Sequence, residues 1–213
     1  MIAGIVSLCL AYVLSQFFRS FLAVLTGILG QDIGVTPDDL STASGLWFLS
    51  FALMQIPVGG ALDRIGPRLT SAVLFLIGGS GGAALFAVAQ SALHVKLAML
   101  LIGIGCSPVL MASYYIFARV YSPRIFATLA ATIIGVGSVG NLAGSVPLVW
   151  VVQSYGWRET LWGLAVVSAL IAIAAFIFVR NPPKVESTQV GRFSDLLKMP
   201  VLWLIIPLVF VNY

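Results

Sequence analysis

The chain has 213 residues, 60% of them hydrophobic and 8% charged, with a formal net charge of +4. Soluble domains carry about 45–50% apolar and about 25% charged residues, so this composition excludes a water-exposed globular fold. One histidine and two cysteines, Cys9 and Cys106, lack the spacing of a metal centre or a disulfide framework. Both cysteines are expected to be small packing residues inside helices.

Six continuous apolar runs predict transmembrane helices over about 2–29, 42–62, 69–89, 97–118, 125–152 and 161–179. Each is long enough to cross a bilayer, which takes about 20 residues. The runs do not alternate in period two, which argues against a membrane barrel. The first run is too long for a cleavable signal peptide and has no basic segment before it. Between the first two runs, Thr36-Pro37-Asp38-Asp39 reads as a capping box with proline at the first helical position. The expected fold class is therefore all-α and polytopic. A six-helix bundle over 1–180 is followed by a cytoplasmic linker, 181–199, and the truncated beginning of a seventh helix, 200–213.

Charge sets the expected orientation. Cytoplasmic loops hold the Lys/Arg excess of membrane proteins. With the N-terminus inside, Arg64, Arg68, Arg119, Arg124, Arg180, Lys184, Arg192 and Lys198 are inner, and only Lys96 and Arg158 are outer. The positive charge is thus topological. No basic patch interleaved with aromatics points to nucleic acid. The expected location is the plasma (cytoplasmic) membrane, and the expected surroundings are lipid.

A shift of 90 residues superposes parts of the chain on itself. Thr42 meets Thr132, Gly45 meets Gly135 and Pro57 meets Pro147. Gly66 meets Gly156, Arg68 meets Arg158 and Thr70 meets Thr160. The shift carries helices 1–3 onto helices 4–6. Because three is odd, the second copy is inverted in the membrane. Two inverted repeats, about 1–90 and 91–180, are expected. Such repeats are a transporter signature, with the binding site at their interface.

The loop after the second helix reads Gly59-Gly-Ala-Leu-Asp63-Arg64-Ile-Gly66-Pro-Arg68. Gly66 and Pro67 impose a tight turn. Asp63, at a helix end, is expected to pair with Arg64 or Arg68, or to accept backbone N–H bonds from a neighbouring helix N-terminus. The Gly-x-x-x-Asp-Arg-x-Gly-x-Arg spacing, together with Gly156-Trp157-Arg158 opening the sixth helix, resembles the major facilitator superfamily. The resemblance implies an N-terminal six-helix half of a twelve-helix secondary transporter. It also implies that Gly59, Asp63, Arg64, Gly66 and Arg68 form a gating loop that locks the two halves. Two positions depart from the family pattern. Met99 stands where many members carry a proton-linked Arg before Gly103-Ile-Gly105. The antiporter motif of helix 5 lacks its proline at Gly140-Asn141-Leu-Ala-Gly144-Ser145. Both weaken a drug/proton antiporter reading.

Arg19 lies within the first predicted helix. A cation at helix centre costs about 2.5–3.5 kcal/mol on insertion scales, so it is expected to face the bundle interior or a water-filled cavity. Tyr12, Ser15 and Gln16 share its helical face by spacing. No Asp or Glu falls in the interior of the six predicted helices. The expected counter-group of Arg19 is a substrate anion, backbone carbonyls, water or a group outside this half. A guanidinium suits carboxylate or phosphate. Asn141 either faces the cavity or bonds across helices. The expected substrate-binding set is thus Arg19, Tyr12, Ser15, Gln16 and Asn141. Tyr114 and Tyr115 fit an interfacial aromatic belt better than a place along the path, and Trp47 fits packing better than ligand stacking.

An enzyme is not expected. Gly78-Gly79-Ser80-Gly81-Gly82 matches Gly-x-Ser-x-Gly, but lacks the strand–turn–helix setting, and His94 lies some three turns away. No cofactor signature occurs. The expected function is movement of a small, anionic solute by alternating access, with a C-terminal six-helix half or a second copy as partner. The alternatives are a proton-coupled carrier whose titrating groups lie in the other half, and a non-transporting membrane scaffold or partner subunit.

Overall fold

The computed structural model describes residues 2–183. Its helices are α1 (Ile2–Ser20), α2 (Leu22–Ile33), α3 (Pro37–Arg64), α4 (Pro67–Leu74), α5 (Gly81–Ala87), α6 (Ala92–Val120), α7 (Pro123–Ala143), α8 (Val146–Tyr155) and α9 (Trp157–Phe178). A π-helical turn, Phe75–Ser80, joins α4 to α5. No strand occurs among the described residues. Six spans are long and apolar enough to cross a bilayer: α1, α3, α4 through α5, α6, α7 and α9. The seventh-helix segment and the linker beyond Pro183 lie outside the described residues.

Local chemistry explains the boundaries. Proline opens α3, α4 and α7 and sits in the first turn of α8, where its missing N–H is harmless. At α3 the capping box is complete. Asp39 N–H donates to Thr36 Oγ1 at 3.2 Å, and Thr36 N–H donates to Asp39 Oδ2 at 3.1 Å. This cap starts the second span at residue 37, earlier than the apolar run suggests. The first span continues to Ile33 through a bend at Phe21. The fifth span is not one helix as expected. It breaks at Gly144–Ser145, because Pro147 cannot donate to the carbonyl of Ala143.

Glycines set how close the spans approach. A Cβ on Gly78 or Gly105 would overlap the other's backbone. The Gly78–Gly82 run is therefore a packing face toward α6, and the π turn occurs at this contact. Ser80 Oγ donates to the Ala165 carbonyl at 2.8 Å, tying this span to α9. His94 Nδ1 lies 2.8 Å from Ser91 Oγ, in its own turn. Phe18, Phe21 and Phe86 are fully buried, and Trp157 packs on Phe86. Cys106 is buried and Cys9 half-buried, both as free thiols.

Contacts along the spans order the two ends of the bundle. Lys96 Nζ lies 2.7 Å from Asp39 Oδ1, tying the starts of α3 and α6. Asp32 Oδ2 accepts from Trp157 Nε1 at 3.1 Å and from Arg158 Nη2 at 3.2 Å, tying α2 to α9 at that same end. At the opposite end Arg119 Nη2 lies 3.5 Å from Asp63 Oδ1. That end carries Arg64, Arg68, Arg119, Arg124 and Arg180 against Asp63. It is the basic end. The other carries Asp32, Asp38, Asp39 and Glu159 against Lys96 and Arg158.

The 90-residue shift also acts on contacts. A Cβ on Gly103 would meet Ser50 and Trp47, and a Cβ on Gly140 would meet Val13 and Phe17. Shifting Ser50 by 90 gives position 140, and shifting Val13 gives 103. Gly66 and Gly156 adopt matching left-handed conformations, φ 99°, ψ 161° and φ 87°, ψ 158°. Each opens a helix whose second residue is arginine.

Candidate functional site

Arg19 lies in the last turn of α1, just before the bend at Phe21, and is exposed. Its guanidinium sits 5.4 Å from the ring centroid of Phe48 on α3, itself exposed. A cation over an aromatic face gains about 0.5–2 kcal/mol, depending on desolvation. Phe48 is a residue that sequence spacing does not flag, since nothing local links positions 19 and 48.

The expected polar stripe on α1 is divided by packing. Tyr12 and Ser15 are buried, at 8% and 4% exposure. Tyr12 lies under Gly137 of α7, where a side chain would overlap its ring. Ser15 lies against the Cys106 thiol of α6. Gln16 Nε2 donates to Tyr12 Oη at 2.8 Å and is half-buried. Helical spacing put the four on one face, but α6 and α7 cover part of it, so only Gln16 and Arg19 keep accessible surface. Asn141 is exposed on α7, beside the Gly140–Val13 crossing. The structure therefore leaves Arg19, Gln16 and Asn141 with accessible surface in the last turns of α1 and α7 and buries Tyr12 and Ser15.

The loop residues separate into two groups. Asp63 pairs with Arg119, not with Arg64 or Arg68 as expected from the turn. The reason is register. Helices α3 and α6 run parallel with their ends level, which brings position 119 to position 63. Arg119 also lies over the Tyr115 ring, 3.5 Å from its centroid. Arg68 turns the other way. Its Nε donates to the Phe176 carbonyl at 2.6 Å, its backbone N–H donates to Asn181 Oδ1 at 3.0 Å, and its guanidinium covers the Phe176 ring at 4.5 Å. Gly66 has φ 99°, and a Cβ there would meet the Asn181 side chain at 2.7 Å. Glycine is required twice over, by conformation and by space. Arg64 is exposed, and Gly59 has open space beside it. Arg119 and Asn181 were not legible locally, being 56 and 113 residues from their partners. Among the described residues, no group of three His, Cys, Asp or Glu could hold a metal ion.

A bundle of six apolar spans packed through glycine crossings is a polytopic membrane fold. The family model for the Major Facilitator Superfamily matches residues 8–213. The chain belongs to the major facilitator superfamily, a family of multi-pass membrane proteins that are transporters and not enzymes. Among curated relatives, a probable nitrate transporter, NarT, of Staphylococcus carnosus is 27% identical over 185 residues, covering 84% of this chain and 46% of the relative. A probable L-galactonate transporter of Escherichia coli is 25% identical over 192 residues, covering 85% and 40%. The crystal structure of a bacterial homolog to the human lysosomal transporter Spinster, inward-facing and unoccupied, matches with a TM-score of 0.64 at 22% identity, covering 89% of this chain and 45% of that one. That likeness is one of fold. The chain spans about half the length of the curated relatives it matches.

Proposed function

We propose that this chain is the amino-terminal half of a secondary transporter that moves a small anionic solute by alternating access. The carrying observation is Arg19, an exposed cation between the apolar helices α1 and α2. A guanidinium at that depth is costly unless it faces a wet cavity. Its planar fork suits a carboxylate, nitrate or phosphate oxygen pair. The names of two relatives, a nitrate and an L-galactonate transporter, support an anion. Gln16 and Asn141 supply neutral hydrogen-bond donors on the same accessible surface. Tyr12 and Ser15 support from behind.

Asp63, Arg119 and the Gly59–Arg68 loop are the gate at the basic end. Alternating access needs a second bundle to rock against, so the partner is a C-terminal six-helix half or a second copy. The basic end faces the cytoplasm and the N-terminus is inside, following the Lys/Arg excess. The membrane is the plasma membrane, and the two 90-residue segments are inverted repeats. Uptake of radiolabelled nitrate and of a sugar carboxylate by vesicles containing the full-length carrier tests the reading. Anion uptake that Arg19→Gln abolishes supports it. Uptake of neutral or cationic solutes alone overturns it.

A further inference from the structure

Two grooves on the bundle are copies of one another. One, of about 300 Å³, lies between α3 and α4 at the basic end. The other, of about 470 Å³, lies between α8 and α9 at the acidic end. Adding 90 to the nine lining residues of the first reproduces eight lining residues of the second. Pro57 becomes Pro147, Val58 becomes Leu148, Thr70 becomes Thr160 and Leu74 becomes Leu164. A recess retained in both repeats, at opposite ends, is unlike an accidental packing defect.

We propose that each groove seats one phospholipid, an anionic one at the basic end and an amine-headed one at the acidic end. Both walls are apolar, as an acyl chain requires, and both open past exposed side chains, Ile65 at 54% and Tyr155 at 71%. The basic-end groove runs from Ile65 to Met54. Eleven residues of helix span about 16 Å, which is close to one leaflet of a hydrocarbon core about 30 Å thick. Arg64, exposed and without an ion pair among the described residues, stands at the headgroup end. One turn deeper, Thr70 Oγ1 is buried and has no hydrogen-bond partner. Its counterpart Thr160 donates to the Gly156 carbonyl at 2.6 Å. The two grooves thus differ in how this threonine is satisfied. In the acidic-end groove the position of Leu69 is taken by Glu159, so a carboxylate lines the mouth beside Tyr155. It suits a primary ammonium headgroup. Juxtamembrane cations likewise favour anionic lipid.

Native mass spectrometry of the delipidated full-length carrier, titrated with dioleoyl phosphatidylglycerol, phosphatidylethanolamine or phosphatidylcholine, tests this. Two retained lipids are expected, with phosphatidylglycerol and phosphatidylethanolamine each preferred over phosphatidylcholine by about fivefold, the scale of one exposed ion pair. Arg64→Gln should abolish only the phosphatidylglycerol preference, and Glu159→Gln only the phosphatidylethanolamine preference. Val73→Trp and Gly163→Trp fill one groove each, and each should remove one retained lipid. A Cβ at Gly163 meets open space, so that chain should still fold. Unchanged retention in both filled variants overturns the proposal. So does a wild-type carrier that retains no lipid, the result expected where the other half covers the grooves.

Discussion

Arg68 and Arg158, 90 residues apart, each donate to the carbonyls at the end of the helix that the other begins beside. Arg68 Nε reaches the Phe176 carbonyl, in the last turn of α9. Arg158 Nη1 reaches the Ala87 and Ala89 carbonyls, at 3.2 and 2.8 Å, where α5 ends. A helix C-terminus leaves carbonyls unsatisfied and carries partial negative charge. Each arginine answers both needs for its antiparallel neighbour. The pair clamps the third and sixth spans together at both membrane surfaces.

Charge-assisted bonds of this kind contribute about 1.5–3 kcal/mol. Arg68→Gln and Arg158→Gln are each expected to lower the thermal unfolding midpoint. The clamps lie at opposite ends, so their effects should add. Gly66→Ala should destabilise more than an alanine at Gly59, because φ 99° disfavours a side chain and Asn181 occupies the space. Fluorescence-monitored melting of these four variants and of the Arg68→Gln/Arg158→Gln double variant checks both statements.

Asp63→Asn in the full-length carrier should impair transport with little loss of folded protein. Its ion pair with Arg119 is long and well exposed, with side-chain exposures of 31% and 67%. Such pairs contribute about 0–1 kcal/mol to stability, so the effect should fall on the equilibrium between conformations. Arg119→Gln should reproduce it. Wild-type flux in both variants removes the gate from the account.

How much of this was readable beforehand depends on the range of each interaction. The spans, the capping box at Thr36 and Asp39, and the Gly66 turn were legible because they follow from apolar runs and nearest-neighbour chemistry. The pairing of equal offsets was legible as repeated residues. The partner of Asp63 was not, because Arg119 comes to it only through the parallel register of α3 and α6. The burial of Tyr12 and Ser15 was hidden for a similar reason. Helical spacing gives a face, but which neighbour covers it depends on glycines at Gly137 and Gly140 over a hundred residues away. The break at Gly144–Ser145 was within reach. Pro147 signals it, and the continuous apolar run masked it.

Topology is open to a direct test. In a background with Cys9 and Cys106 replaced, Arg64→Cys should react with an impermeant maleimide from the cytoplasmic side and His94→Cys from the outside. The two positions lie at opposite ends of the bundle. The reversed pattern contradicts the orientation and the assignment of the gate.

Residues 1–213 alone should not transport as a verified monomer. Under the proposed function the exposed surface of α1, α3 and α7 would form one wall of the pathway, and alternating access needs a second bundle. Reconstituted vesicles containing the monomeric chain should show flux no greater than empty vesicles. Co-expression with the remaining half should restore it.

The most direct test of the central claim is substrate affinity of the full-length carrier across Arg19 variants, measured by equilibrium binding of the transported solute. Arg19→Lys keeps the charge and loses the planar fork, so affinity should fall by roughly tenfold, about 1.4 kcal/mol. Arg19→Ala should weaken binding further. Arg19→Gln should abolish anion binding while the protein still inserts and melts as the wild type does. An anionic solute bound with that order of affinities is the predicted result. Equal affinity in all four proteins would contradict it and leave Arg19 as a structural cation over Phe48.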